Sequence, residues 1–259
     1  MTTASIRLAP SRARSFPALA TSLALLASVA LASPAAAADK PYRFDLYRKG
    51  DFVSQTTVYM CVGASMQMML NMIEPTDNRT AARQKELWEL ARSFRRTNDP
   101  TQMNSGSINH TRRGASSRGW AAGLTVLGAG PYHVTARPTL KEAANVAARQ
   151  IRLTGQPVGL LVWRGAHAWV VSGFEATGDP LYDPRAEVTH LYILDPYYPR
   201  VSKLWGPSAA PHTKMSLAKL GEDWVQWRRS ANRPGLTGRW AMILPYVQQD
   251  PAARRSNLR

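Results

Sequence analysis

Gln55, Cys61, His167 and Asp195 are of types and spacings that can do nucleophilic chemistry together. Cys61 is the only cysteine in the 259 residues, so it makes no disulfide within the chain. It heads an apolar run in which Cys61, Ala64, Ser65, Met68 and Met72 share one side of a 3.6-residue helix. At a helix N-terminus the macrodipole and the unpaired backbone N–H groups favour the thiolate, the nucleophilic form of cysteine. Gln55 lies six residues upstream, within reach of a loop that folds back. Its side-chain amide and the backbone N–H of Cys61 could together hold the negative oxygen of a tetrahedral intermediate.

His167 follows the small residues Gly165 and Ala166 and opens the stretch H-A-W-V-V-S-G-F. Small neighbours leave room beside the ring, and a core-like strand after it holds the ring in place. An imidazole so placed takes the thiol proton and later delivers one to a leaving amine. Asp195 closes the next apolar stretch, where a hairpin can bring its carboxylate to the other ring nitrogen and set tautomer and orientation. Taken singly, these residues have plainer readings. A lone cysteine is commonly a small buried hydrophobe, and Asp-Pro is a common turn start. His110, His133, His190 and His212 have the settings of ordinary surface or edge residues.

The elements that must position these groups can be read from hydrophobic period and punctuation. Residues 39–52 read as an extended, aromatic lead-in, and the cysteine helix ends at Pro75. Residues 80–96 form an amphipathic helix with Leu87, Trp88, Ala91 and Phe94 inward, and residues 97–118 a long polar loop. A short helix and turn fall in 119–130 and a brief strand in 132–136. Thr139 and Glu142 make a capping box that opens a helix running to about Leu153. Thereafter the period changes. Strands are expected at 158–163, 167–175, 191–194 and 239–244, with a tight turn at 164–166 and a helix at 216–227. Helices concentrated in the first half and antiparallel strands in the second point to an α+β domain.

Hydrophobic content of 44% and charged content of 19% are those of a globular chain. Residues 1–38 read as a signal peptide: Arg7, Arg12 and Arg14 form the basic region, an Ala/Leu-rich apolar run follows, and small residues end at Ala38. The apolar run is short and Ala-diluted for a stable membrane span. Its removal takes away three arginines and lowers the formal net charge from +16 to +13. The domain then occupies residues 39–248, followed by a basic tail at 249–259. Secretion or attachment to the cell envelope is expected, and the basic charge suggests anionic surroundings such as cell-wall polymers, lipid head groups or acidic substrates. A free thiol retained in an oxidising compartment suggests a chemical task. No nucleic-acid-binding signature is present, so nucleic acid is not expected as a partner. Met60, Met66, Met68, Met69 and Met72 could suggest a soft copper site, but methionines on a helix are usually core filler, so no metal or cofactor is expected. Trp205, Trp224, Trp227 and Trp240 could stack on sugars; packing is the commoner role.

The interval from Gln55 to Cys61 and the small-residue helix start resemble those of papain-like cysteine peptidases. G-A-H-A-W-V-V-S-G-F around His167 and L-D-P-Y around Asp195 look like the bacterial branch that processes double-glycine bacteriocin leaders. The resemblance runs from about residue 55 to 244. It implies a papain-like fold, a peptide or protein substrate, Cys61 as nucleophile, His167 as base, Asp195 as orienting group and Gln55 in the oxyanion hole. Where the family commonly has Gly just after the nucleophile, this chain has Val62 and then Gly63. It also has an added loop at 176–190 and no P-loop. Two rival functions keep the same residues: acyl transfer to an amine or wall-peptide cleavage, and an inactive peptide- or wall-binding protein. Export has its own test. N-terminal sequencing of the protein from culture supernatant is expected to begin at or near Asp39, and an intact Met1 terminus in a membrane fraction would argue for an anchor instead.

Overall fold

The apolar stretches of the second half alternate faces with a period of two, and that alternation builds the architecture. The computed structural model describes residues 41–94, 114–228 and 233–247, within the compact unit Asp39–Arg259. The segment 1–38, the tail 249–259, His110 and most of the polar stretch 97–118 lie outside the described residues. Strands β1 (Tyr42–Asp45), β2 (Tyr132–Arg137), β3 (Val158–Val162), β4 (His167–Ala176), β5 (Val188–Leu194), β8 (Thr213–Ser216) and β9 (Trp240–Pro245) form one antiparallel sheet. Its order is β2-β9-β3-β4-β5-β8. β1 continues along the edge of β4 beyond the end of β3, since β3 pairs with residues 167–171 and β1 with 173–176. A two-stranded hairpin, β6 (Val201–Ser202) and β7 (Gly206–Pro207), stands apart from it.

The sheet is covered on both faces. Leu160, Val162, Trp169, Val171, Ile193, Met242 and Leu244 pack with α4 (Leu140–Thr154) and α5 (Leu217–Asp223). Their alternate neighbours Leu161, Ala168, Val170, Leu194, Ala241 and Ile243 pack with α1 (Cys61–Ile73), α2 (Ala81–Ser93) and α3 (Ser117–Val126). The protein is therefore a mixed α+β domain with helices on either side of an antiparallel sheet. Met66, Met68 and Met69 are fully buried in this second core, the filler role. Thr139 and Glu142 form both bonds of the capping box, and Gly155 at φ 65° ends α4 in the left-handed region.

Several elements differ from expectation. Ser117 and Arg118 belong to α3, because Ser116 accepts from the N–H of Gly119 and caps the helix two residues earlier than the polar composition suggested. β5 begins at Val188, so His190 lies within a strand, where β8 pairs with it. The helix expected at 216–227 stops at Asp223. Trp224 instead turns its indole into the core and donates to Ala241 O, and Trp227 bonds to Arg239 and Gly238. Trp163 leaves β3 and enters a turn. Trp88 is only half-buried, between Tyr59 and Arg92.

Gly63 explains how α1 and α2 approach so closely. A Cβ there would sit 2.7 Å from Gln84 O and 2.9 Å from Trp88 Cβ. Replacing a helical glycine by alanine ordinarily gains about 1 kcal/mol of helix propensity. Overpacking against a backbone carbonyl costs ~1–3 kcal/mol, and it should win here. Gly63→Ala is expected to lower the denaturation midpoint, measured by urea titration; an increase would show that α2 yields freely.

Candidate active site

Strand register brings the His167 imidazole and the Asp195 carboxylate to one place. Val170 pairs with Leu194 in β4–β5, so Asp195, one step beyond, lies across from Trp169. His167 shares a face with Trp169, which makes Asp195 and His167 diagonal cross-strand neighbours on one face at one end of the sheet. His167 Nε2 and Asp195 Oδ1 are 2.7 Å apart, and both side chains are buried. The same Oδ1 accepts from the N–H of Tyr197 at 2.8 Å, while Oδ2 is buried without a hydrogen-bond partner. A carboxylate so incompletely solvated favours a positive charge on the imidazole beside it.

Cys61 is the first residue of α1 and is partly exposed, unlike His167 and Asp195. The helix ladder begins with Ala64 N–H donating to Met60 O at 3.0 Å, so the N–H groups of Cys61, Val62 and Gly63 have no partner within the ladder. Met60 offers no side-chain cap, and the first turn holds no acidic residue. The positive end of the helix therefore acts on the sulfur without local neutralisation. Ser65 Oγ donates to Ala168 O at 3.4 Å and ties α1 to β4 one residue beyond His167.

With Nε2 committed to Asp195, Nδ1 is the ring nitrogen available to the thiol. Burial alone would lower the pKa of His167. Hydrogen bonding from Asp195 and Cys61, and the charge of both, overcome burial and raise it to about 9. The His167 ring is thus favoured in its charged, imidazolium form at neutral pH.

Gln55 is buried and fixed by its backbone. Its N–H donates to Pro196 O at 2.7 Å, and its carbonyl accepts from Arg200 Nη1 at 2.6 Å. This places it beside the Asp195–Pro196 segment. Its side-chain Nε2 donates to Thr57 O at 2.7 Å, which uses one of the two amide hydrogens. The fold thus joins Cys61, His167 and Asp195 directly, and Gln55 through the loop. Gln84 and Arg200, which sequence reasoning missed, rivet that loop. Gln84 Oε1 accepts from Thr56 N–H at 2.7 Å, Gln84 Nε2 donates to Ser54 O at 3.0 Å, and Arg200 Nη2 donates to Thr56 O at 3.2 Å.

The turn before His167 is built against backbone preference. Trp163, Arg164 and Gly165 have φ of 55°, 58° and 83°, and each non-glycine residue in that region costs about 1–2 kcal/mol. Gly165 is required twice, because a Cβ would also lie 2.4 Å from the Trp227 ring. The turn lays the Trp163 indole on the imidazole, centroids 4.2 Å apart and 22° between planes. Trp205 stacks on Trp163 at 6.0 Å, and Tyr197 meets both Trp163 and His167 edge-on. A cavity of about 510 Å³ lies beside this stack, lined by Trp205, Met215, Lys219, Glu222 and Asp223 among others.

A second histidine–carboxylate pair, His212 Nε2 to Asp45 Oδ2 at 2.7 Å, joins residues 167 positions apart, so no local pattern signals it. It is stacked between Tyr47 and Tyr192. Ser172 is fully buried and donates to Asp45 Oδ1, so this cluster offers no exposed nucleophile and serves to clasp β1 to the sheet. His133 is exposed, as expected. Among the described residues no group of three or more His, Cys, Asp and Glu is placed to hold a metal ion, and no helix is long and apolar enough to cross a membrane.

No protein-family model matches the chain, and no curated protein matches it significantly. The ion pair has a direct test. Titration of His167 by ¹⁵N NMR is expected to show a midpoint near 9. The midpoint should fall in both Cys61→Ala and Asp195→Asn, since each removes a group that raises it. Because the folded value lies above the unfolded 6.5, the protonated ring stabilises the fold fully below about pH 6.5, and that contribution is lost as pH rises through 9. A midpoint at 6.5 would refute the pairing.

Proposed function

We propose that this chain is a papain-like thiol hydrolase that cleaves peptide bonds through a Cys61 acyl-enzyme. The observation carrying the reading is the partly exposed Cys61 at the bare N-terminus of α1, facing an imidazole that Asp195 holds at 2.7 Å. Packing alone has little use for an incompletely satisfied buried carboxylate, a buried histidine and a reachable thiol at one point. The resemblance to double-glycine leader peptidases agrees with this arrangement.

The thiolate attacks the scissile carbonyl carbon, and the carbonyl electrons move onto oxygen. The Cys61 N–H and the remaining Gln55 amide hydrogen receive that oxyanion. His167 then gives its Nδ1 proton to the leaving amine, the C–N bond breaks, and the acyl group stays on sulfur. Neutral His167 takes a proton from water as it attacks the thioester. The acid leaves, and the thiolate–imidazolium pair is restored. Asp195 holds the ring through both transfers and compensates its charge. The protein acts after export and cleavage near Ala38, on peptide or protein substrates, and its basic surface holds it near anionic wall polymers.

The test is labelling of Cys61 by a thiol-reactive peptide electrophile, followed by assay of variants on a peptide that the wild type cleaves. Cys61→Ala and His167→Ala should each abolish nearly all turnover, and the double variant should be little worse, because groups acting as a unit are non-additive. Gln55→Ala should lose roughly 100- to 1000-fold in turnover while retaining binding, and Asp195→Asn should lose less than Cys61→Ala. Full activity in Cys61→Ala would replace this reading by the binding-protein one. Mass spectrometry of products made with an added amine separates hydrolysis from acyl transfer.

A further inference from the structure

Asp223 has no place in the chemistry above, yet it touches the residue that covers the base. It is the last residue of α5, the end at which the helix dipole disfavours a carboxylate. Its Oδ1 accepts from Trp163 Nε1 at 2.9 Å. Trp163 in turn lies face-on over His167 at 4.2 Å, from a backbone position at φ 55° that a tryptophan rarely adopts. Such a conformation persists only where surrounding contacts over-determine it, and the bond to Asp223 is the polar contact that holds the indole. We propose that Asp223 is a positioning residue: by its hydrogen bond it locks the Trp163 indole over the imidazole face and so stabilises the imidazolium of His167.

The physical basis is the quadrupole of the indole, whose negative face attracts a cation above it, and more strongly when water is excluded. That attraction needs the ring held flat against the imidazole. At 22° between planes, with Trp205 also stacked on it at 6.0 Å and 6°, the indole is held in that orientation. The charged and titratable groups around the assembly are few. Asp195 and Cys61 act on His167; Lys219, Glu222 and Asp195 act on Asp223, together with its bond to Trp163. Lys219 is itself paired with Glu222 at 2.6 Å, which leaves Trp163 as the hydrogen-bonded partner of Asp223.

This inference rests on the thiolate–imidazolium reading, and the ¹⁵N titration of His167 in the full chain separates the two. Asp223→Ala should lower the His167 midpoint by roughly half to one pH unit. Asp223→Asn, whose amide oxygen can still accept from the indole, should restore most of that shift. Trp163→Phe keeps an aromatic face but has no donor; in that background Asp223→Ala should cause no further change. A wild-type midpoint of 6.5 overturns both readings. A wild-type midpoint near 9 that Asp223→Ala leaves in place overturns only the role of Asp223. Equal shifts in the Asn and Ala variants, or an undiminished shift in the Trp163→Phe background, would mean that the charge of Asp223 acts through space, and positioning would be refuted.

Discussion

The buried bond between His167 and Asp195 is the interaction on which the rest depends. Two ionisable groups taken out of water must compensate each other, or the fold bears the cost of each alone. Here the carboxylate spends one oxygen on the imidazole and the Tyr197 N–H and leaves the other unpartnered. The imbalance favours a charged ring, and the charged ring is what a thiolate needs beside it. The same burial that threatens stability therefore holds positive charge on the ring, provided that the surrounding elements cannot shift.

Much of the structure near the site prevents such shifts. α1 carries the thiol but belongs to the helical layer, whereas the imidazole belongs to the sheet, so the two layers must be registered against each other. Ser65 does this at β4, Gly63 lets α2 press α1 inward, and the loop at residues 54–56 is bonded on one side by Gln84 and on the other by the Pro196–Arg200 segment. Each of these contacts joins residues far apart in the chain. Their geometry is enforced by packed backbone and buried amides, which tolerate little displacement.

The two histidine–carboxylate pairs share a bond length and differ in what surrounds them. His167–Asp195 and His212–Asp45 are both 2.7 Å apart. The second is sandwiched between tyrosines, and its neighbouring serine is buried and already committed to the carboxylate. The first faces a helix N-terminus with a partly exposed sulfur. The difference lies in what can approach, and that is a property of layers and of the strained turn at Trp163 rather than of the pair.

Elements whose signal is local can be read from the amino-acid string. The capping box at Thr139 and Glu142, the 3.6-residue pattern of α1, and the period-two strands around His167 depend on neighbours a few residues away, and they lie close to where the pattern placed them. It also singled out Cys61, His167 and Asp195, because residue type and position at element ends are visible in a string. Features that depend on distant partners emerge only when the elements pack. Trp163 looked like the end of a strand and became the cover of the imidazole, since Asp223, sixty residues on, offered its indole a hydrogen bond. α5 ended early because the Trp224 indole found Ala241 O in the core. Gln84 read as one more polar residue of an amphipathic helix, and only the approach of residues 54–56 made it a buried anchor. Local patterns specify elements through backbone propensity and burial; the contacts between elements arise from packing, which no short window of sequence contains.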